Sequence, residues 1–133
     1  MQILEVPFED TFQALSDPSR LRIVRLLAST HEEACLCELV DSLREPTYKL
    51  SRHLKILRQA GLLDIQKDGR WVYHRLVTHP EHLVSLFTLI AGLPETNGIY
   101  SADLVRFEQR LAYREDGRCR VGTLTDALKS ETV

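Results

Sequence analysis

Three cysteines stand out among the side chains that could do chemistry in this 133-residue sequence. Cys35 and Cys37 are separated by one residue, whereas Cys119 lies far along the chain between Arg118 and Arg120. An odd count of three does not make a disulfide framework, so these residues are either small core residues or functional thiols. Taken alone, a Cys-x-Cys pair is more typical of buried core residues. The two guanidinium groups beside Cys119 are expected to favour its thiolate form, which binds soft ions.

The cysteine spacing argues against a small thiol enzyme such as a reductase. Thiol oxidoreductases commonly place two residues between their cysteines, and this pair has only one. No glycine-rich cofactor loop occurs in the sequence either. An enzyme is therefore the least favoured of the function classes.

A second chemical feature is a basic segment in the middle of the chain. The formal net charge of -2, taken by itself, argues against a nucleic-acid partner. Residues 44–75, however, carry eight basic and three acidic side chains, whereas the segments before and after them are both net acidic. A local basic patch is expected where a protein binds phosphates. An ordinary solvated helix face is the alternative.

Apolar periodicity predicts the helices that must position these side chains. One helix opens where Ser16 or Asp17 can act as the N-cap and Pro18 can occupy the first turn. Ser101 can cap a later helix that ends at Gly117. The predicted helices cover residues 8–15, 18–27, 35–43, 46–61, 80–93 and 101–117.

The apolar pattern changes from helical to alternating after Gly61. The dipeptide Asp68-Gly69 lies between two alternating runs and predicts the turn of a β-hairpin. Two consecutive helices followed by a hairpin predict a mainly α winged helix-turn-helix, whose second helix reads the major groove. Residues 120–133 are predicted to form a weakly ordered tail.

The fourth helix has the character of a reading helix. No Asp or Glu occurs in residues 46–63. On a helical wheel its long polar side chains fall opposite the apolar stripe, where they can contact phosphates and base edges. These side chains are Tyr48, Lys49, Arg52, Lys55 and Gln59. The hairpin tip adds Lys67 and Arg70, placed to contact a neighbouring phosphate or the minor groove.

The helix at 80–93 is apolar on more than one side, which in a small protein often indicates a subunit interface. No apolar run is long enough to span a membrane and no signal peptide is recognisable, so we expect a cytoplasmic protein with no membrane partner. We divide the chain into a DNA-binding and dimerisation domain at 1–93 and a C-terminal helix and tail at 94–133.

Three stretches of the sequence resemble the ArsR/SmtB family of metal-sensing repressors. They are Phe12-Gln13-Ala14-Leu15-Ser16-Asp17-Pro18-Ser19-Arg20-Leu21-Arg22-Ile23, Ser51-Arg52-His53-Leu54-Lys55-Ile56-Leu57-Arg58-Gln59-Ala60-Gly61-Leu62-Leu63 and Lys67-Asp68-Gly69-Arg70-Trp71-Val72-Tyr73-His74-Arg75-Leu76. The resemblance implies a winged-helix homodimer that represses an operon until an effector binds. It also implies that Ser51, Arg52 and His53 contact double-stranded operator DNA. By its own position, His53 lies at the border of the buried face and could equally be a structural histidine.

Within this family, Cys-x-Cys-[Asp/Glu]-Leu marks a site for arsenite, antimonite, cadmium or lead. The arsenic sensors commonly add a third cysteine at the position that Val40 occupies here, so Cys119 becomes the candidate third thiolate. Three thiolates suit trivalent arsenic or antimony, whereas zinc more often takes four ligands. On an ideal helix Cys35 and Cys37 point about 200° apart, so one ion binds both only if the first turn unwinds.

These considerations predict a repressor with no permanent cofactor. It releases DNA when As(III) or Sb(III) binds Cys35, Cys37 and Cys119. Two alternatives keep the same fold: a thiol redox sensor and a cadmium- or lead-sensing repressor.

Overall fold

The computed structural model describes residues 6–95 and 97–125. Its helices are α1 (Phe8–Leu15), α2 (Pro18–Thr30), α3 (Leu36–Leu43), α4 (Thr47–Gln59), α5 (Glu81–Gly92) and α6 (Ile99–Leu111). Its strands are β1 (Ala34–Cys35), β2 (Leu63–Asp68) and β3 (Trp71–Leu76). The predicted winged helix-turn-helix is confirmed, with α3 and α4 as the helix pair and β2 and β3 as the wing.

Local signals set where the first helices begin and end. Asp17 is the N-cap of α2, since its carboxylate accepts hydrogen bonds from the backbone N–H groups of Ser19 and Arg20 at 2.9 and 3.1 Å. Pro18 follows at the first helical position, as predicted. Gly61 has a φ of 78° just after α4, a left-handed conformation that glycine adopts without strain.

The core lies where α2, α3 and α4 meet. Ile23, Leu39, Leu50 and Leu57 are fully buried there, one or more from each helix. Burying a side chain of this size contributes about 1.5–3 kcal/mol. This packing joins α4 to α3.

The sheet has three antiparallel strands in the order β1-β3-β2. The short strand β1 was not predicted, and it places Cys35 opposite Tyr73 of the wing. The turn prediction is wrong by one residue: Asp68 still pairs with Trp71, so Gly69 and Arg70 form the turn. Gly69 has a φ of 63°. A glycine with positive φ suits the first central position of a tight hairpin turn.

The C-terminal part departs from the prediction in three places. Helix α6 begins after Gly98, two residues before Ser101, and it ends at Leu111 and not at Gly117. Gly117 instead lies in a turn between Glu115 and Arg118, which pair with each other. Residues 120–125 are held by hydrogen bonds and are not a loose tail, while 126–133 lie outside the described residues.

Helix α6 packs against both α2 and α3. The division of the chain between residues 93 and 94 stays a prediction.

Helix α5 buries one face and exposes another. Leu83, Phe87 and Ile90 are buried, whereas Val84 and Leu89 are exposed. The exposed apolar residues are the kind a subunit interface would cover, and the homodimer stays a prediction. Within residues 6–95 and 97–125, every helix is too short or too polar to cross a membrane.

Candidate functional site

Cys35 lies just outside α3. It is the N-cap of that helix, with φ -77° and ψ 158°, because its backbone is extended and pairs with β3. The expectation that Cys35 and Cys37 share an ideal helical turn is therefore wrong. No unwinding of the first turn is needed to bring Cys35 out of the helix, since β1 already does so.

The three sulfurs meet at the start of α3 within one chain. The Sγ atoms of Cys37 and Cys119 are 3.7 Å apart. Sγ of Cys35, Sγ of Cys119 and a carboxylate oxygen of Glu38 all lie within 4.8 Å of one another. Cys35 and Cys119 are buried, whereas Cys37 is half-buried. Cys119 is common to both contacts, so its sulfur lies beside Cys37 on one side and beside Cys35 and Glu38 on the other.

Cys119 is brought to α3 by the segment that follows α6. The turn at Glu115 and Arg118 reverses the chain direction. The backbone N–H of Cys119 then donates to the Tyr73 hydroxyl oxygen at 2.7 Å. The third sulfur is thus anchored to the wing strand β3, which also pairs with Cys35.

The three thiols differ in acidity. Interaction with the Cys35 side chain lowers the pKa of Cys37 to about 6, and hydrogen bonding to Cys119 and the charge of Arg110 add to this against the effect of burial. Arg110 lies close by, with Nη2 3.7 Å from the Cys37 sulfur. The same pairing with Cys37, together with burial, raises the pKa of Cys35. Cys37 is therefore the thiol most readily ionised.

The structure does not support the expectation that the flanking arginines favour the thiolate form of Cys119. Burial raises the pKa of Cys119, and the two flanking arginines do not reverse this effect. Arg118 is directed elsewhere: its Nε donates to Asp68 at 2.9 Å and its guanidinium lies 4.0 Å from the centre of the Tyr73 ring. Arg120 donates to the Cys119 carbonyl oxygen.

Glu38 is a buried carboxylate that sequence reasoning left unassigned. Its oxygens accept hydrogen bonds from Arg114 at 2.8 and 2.9 Å, and Oε1 also accepts from the backbone N–H of Cys35 at 3.0 Å. The carboxylate is fully buried and charge-paired. Together these contacts fix the N-terminus of α3 to the segment just after α6, beside the sulfurs.

Arg110 and Asp41 form a second buried ion pair on the other side of the thiols. Nε of Arg110 donates to Asp41 at 2.6 Å, and Nη2 donates to the carbonyl oxygens of Val121 and Gly122 at 2.7 and 3.0 Å. Neither Asp41 nor Arg110 was predicted. Asp41 lies two residues before the end of α3, and an acid at that position gives no sign of its distant partner.

The predicted reading face of α4 is exposed. Tyr48 is 67% exposed, and the other outward side chains are also open to solvent. These are Lys49, Ser51, Arg52, Lys55 and Gln59. Lys67 and Arg70 are exposed at the hairpin tip, where the Arg70 guanidinium lies 4.6 Å from the centre of the Trp71 ring. All of these residues can approach a ligand outside the molecule.

A groove of about 360 Å³ separates α4 from β3. Arg52, Lys55 and the exposed Arg58, which was not among the predicted contacts, line it together with His74. Their positive charges converge on a space open to solvent.

His53 faces α2 and not solvent. Its ring is 3.1 Å from Nη1 of Arg20 and 3.8 Å from Asp17. Burial lowers its pKa. The environment is that of a structural histidine that joins α4 to the start of α2, and the DNA contact stays a prediction.

Comparison with a known family matches the helix-turn-helix part of the chain but not the segment that carries Cys119. The family described as "Bacterial regulatory protein, arsR family" matches residues 17–64, which include α2, α3 and α4. The arsenic resistance transcriptional regulator ArsR1 of Pseudomonas putida is 38% identical over 96 residues, which cover 72% of this chain and 71% of that protein. Cys119 lies outside the family match.

Two further relatives carry different metals in their names. The arsenical resistance operon repressor of Escherichia coli is 47% identical over 68 residues, covering 51% of this chain and 57% of that protein. A homologue of the cadmium resistance transcriptional regulatory protein CadC from Staphylococcus aureus is 35% identical over 75 residues, covering 56% and 60%.

Proposed function

This chain belongs to the ArsR/SmtB family of transcriptional regulators and is not an enzyme, and from that premise we propose an arsenic- or antimony-responsive repressor. As a homodimer it binds a two-fold-symmetric operator through α4 and the wing. It releases the operator when As(III) or Sb(III) is bound by the thiolates of Cys35, Cys37 and Cys119.

The observation that carries the proposal is the meeting of three sulfurs from three elements at the start of α3. Cys35 belongs to β1, Cys37 to α3 and Cys119 to the segment after α6. An ion bound to all three joins these elements, and α3 packs directly on the reading helix α4. A movement at the sulfurs is thereby transmitted to the reader.

The donor set favours a three-coordinate thiophilic ion. Glu38 is the nearest carboxylate to the sulfurs in the described residues, but Arg114 and the Cys35 N–H already bind its oxygens. The donors left for an ion are the three thiolates. Trivalent arsenic and antimony prefer such a set, whereas structural zinc is almost always four-coordinate.

Ion binding at the thiols and operator binding at α4 and the wing weaken each other in this proposal. If the ion weakens operator binding by some factor, DNA weakens ion binding by the same factor. Couplings of about 1–3 kcal/mol, which are typical, correspond to about 5- to 150-fold in affinity.

A titration of the reduced full-length protein tests the proposal. Sodium arsenite is added while thiolate-to-arsenic absorbance is recorded, and release of a fluorescein-labelled duplex from the region upstream of the gene is followed by anisotropy. We expect one ion per chain, three protected thiols and release of the duplex over the same range. Absence of the absorbance, with the duplex still bound, would contradict the proposal.

The 3.7 Å separation of the Cys37 and Cys119 sulfurs also favours a second candidate, a thiol redox switch. Hydrogen peroxide would oxidise both thiols to one disulfide and be reduced to two molecules of water. Peroxide that releases the duplex from protein unresponsive to arsenite would support this function in place of the first.

The closeness of Glu38 to Cys35 and Cys119 favours a third candidate, a cadmium- or lead-responsive site with mixed sulfur and oxygen donors. Such an ion would have to displace Arg114 from the carboxylate. Tight binding of Cd(II) that is lost in Glu38→Gln, together with weak arsenite binding, would favour it.

A further inference from the structure

Asp41 lies in the second half of α3 and is almost fully buried. Its carboxylate accepts hydrogen bonds from the backbone N–H groups of Leu124 and Thr125, the latter at 2.8 Å, and from the Thr125 hydroxyl. Burial opposes ionisation, but the hydrogen bonds from Thr125, Leu124 and Arg110 outweigh it and hold the pKa of Asp41 below its usual value. The side chain is therefore an ionised carboxylate, and both of its oxygens accept hydrogen bonds.

These donors come from α6 and from the segment after it, and none of them comes from α3 itself. A buried charge costs desolvation free energy, and a well-packed apolar residue of similar size often serves a helix contact as well or better. Apolar packing of α3 on α6 therefore does not require an acid at this position. The acid instead pairs with Arg110 of α6 and holds the segment that follows this helix.

That segment is anchored at both ends. Upstream, the Cys119 N–H is bound to the Tyr73 hydroxyl on the wing. Downstream, Asp41 binds residues 124 and 125, and Arg110, itself paired with Asp41, binds the carbonyl oxygens of Val121 and Gly122. Cys119 lies at the upstream anchor, two residues before the segment that the downstream anchor holds.

The downstream anchor reaches the sulfurs through the Val121 carbonyl oxygen and through Arg110, whose Nη2 is 3.7 Å from the Cys37 sulfur. The Val121 carbonyl oxygen, held by Arg110, is 3.5 Å from the Cys37 sulfur and 3.4 Å from the Cys119 sulfur. Releasing the segment from Asp41 frees this carbonyl and with it the position of Cys119 relative to Cys37. Groups that orient a ligand in this way commonly affect metal affinity about 10- to 100-fold when they are removed.

We propose that Asp41 is the positioning residue of the third thiolate: through Arg110 and residues 121–125 it holds Cys119 in place to complete the site. The proposal rests on the three-thiolate function argued above. It assigns the acid a role in ion binding and none in reading DNA.

A double-mutant cycle in the full-length protein tests the assignment. Arsenite affinity, thiolate-to-arsenic absorbance and the number of protected thiols are measured for wild type, Asp41→Asn, Cys119→Ser and the double variant. We expect Asp41→Asn to lower arsenite affinity about 10- to 100-fold and to reduce the protected thiols from three towards two. In the Cys119→Ser background the same substitution should change affinity by less than about twofold, because the two residues act through one ligand.

Asp103→Asn is the matched control. Asp103 is a buried acid on α6, even less exposed than Asp41, and it is paired with Arg22 and Arg106. This substitution also removes a buried ion pair, but it leaves the Asp41 anchor intact, so arsenite binding should stay within about twofold of wild type. Equal losses in Asp41→Asn and Asp103→Asn would overturn the proposal, as would an undiminished effect of Asp41→Asn in the Cys119→Ser background.

Thr125→Val provides a milder variant if Asp41→Asn does not fold. It removes one hydroxyl donor and keeps the backbone hydrogen bonds, so a smaller loss of arsenite affinity and of the three-thiolate absorbance is expected. Wild-type affinity and absorbance in Thr125→Val would overturn the proposal in that case. If Cys119→Ser itself binds arsenite like wild type, the three-thiolate function has failed, a result distinct from failure of the Asp41 assignment.

Discussion

The thiol site and the reading face of this protein are built in opposite ways. Around the sulfurs, charged side chains are buried and paired with partners in the same chain, as in Glu38 with Arg114 and Asp41 with Arg110. On α4, the charged side chains are exposed, and in the described part of the chain Arg52 and Lys55 have no carboxylate within 4 Å. Around the sulfurs the charges are paired within the chain, although Arg110 Nη1 has no hydrogen-bond partner among the described residues, whereas Arg52 and Lys55 of α4 remain available for an external polyanion.

This difference predicts different costs for the removal of a charge. A buried ion pair that loses one partner leaves an uncompensated charge in a low-dielectric environment. An exposed cation that is removed leaves nothing unsatisfied in the protein. Stability and DNA binding should therefore be separable by region.

The largest expected effect is on folding stability. Arg110→Met strands the buried carboxylate of Asp41 and should lower the free energy of unfolding by about 3–5 kcal/mol. Arg52→Met, the same change on the reading face, should alter it by no more than about 0.5 kcal/mol. Urea unfolding of both variants measures the contrast, and equal losses would remove the distinction between the two regions.

Operator affinity should show the reverse contrast. Arg52→Ala and Lys55→Ala should each weaken operator binding by about 1–3 kcal/mol, and a residue that contacts a phosphate should reduce the salt slope by about one. Arsenite affinity should stay near wild type in both. Anisotropy titrations at several salt concentrations measure this, and wild-type affinity with an unchanged slope would mean that α4 is not the reader.

Loss of the third sulfur should uncouple the regions without damaging either. Cys119→Ser should keep the fold and operator binding but weaken arsenite-triggered release, because two thiolates remain. Release is compared with wild type at matched arsenite concentrations. Full release by the variant would place the third ligand on another residue or on a small thiol.

The smallest expected effect concerns His74, which lies between the two regions. Its Nδ1 is 3.2 Å from the Ala34 carbonyl oxygen, and burial lowers its pKa below that of an unfolded chain. The unfolded state therefore takes up the proton first as pH falls. The contribution of neutral His74 to stability is complete above about pH 6.5, the ordinary histidine pKa. It decreases as pH falls below that value towards the lowered native pKa.

Urea unfolding at pH 7.5 and at pH 5.5 measures this pH dependence. The decrease in stability between the two should be smaller in His74→Asn than in wild type. An identical decrease in both proteins would assign it to other groups.

The exposed polar face of α4 was predictable because its signals are local. The missing acids of residues 46–63 and the stripe of Leu50, Leu54 and Leu57 are read directly along one helix. Only His53 remained ambiguous there, since its orientation depends on Arg20 of another helix. Composition and periodicity suffice to predict which side chains of a single helix are exposed.

Around the sulfurs, only the cysteines themselves could be named from the sequence, and their role in ion binding stays a prediction. Asp41 and Arg110 are 69 residues apart, and the hydrogen bond that positions Cys119 joins it to a tyrosine 46 residues away. The extended conformation of Cys35 likewise depends on pairing with the wing. The sequence pattern of α3 cannot reveal these partners, because they are distant along the chain and meet only in the folded protein.

The arrival of the third sulfur after α6 has an evolutionary consequence. The segment of the chain matched by the family ends at residue 64, so Cys119 and residues 121–125 lie outside this match, whereas the exposed side chains of α4 lie inside it. Exchange of the C-terminal segment, together with one acid in α3 to hold it, would change which ion is sensed while every DNA contact is inherited intact. Selectivity for an effector and recognition of an operator can then diverge independently among descendants of one ancestral repressor.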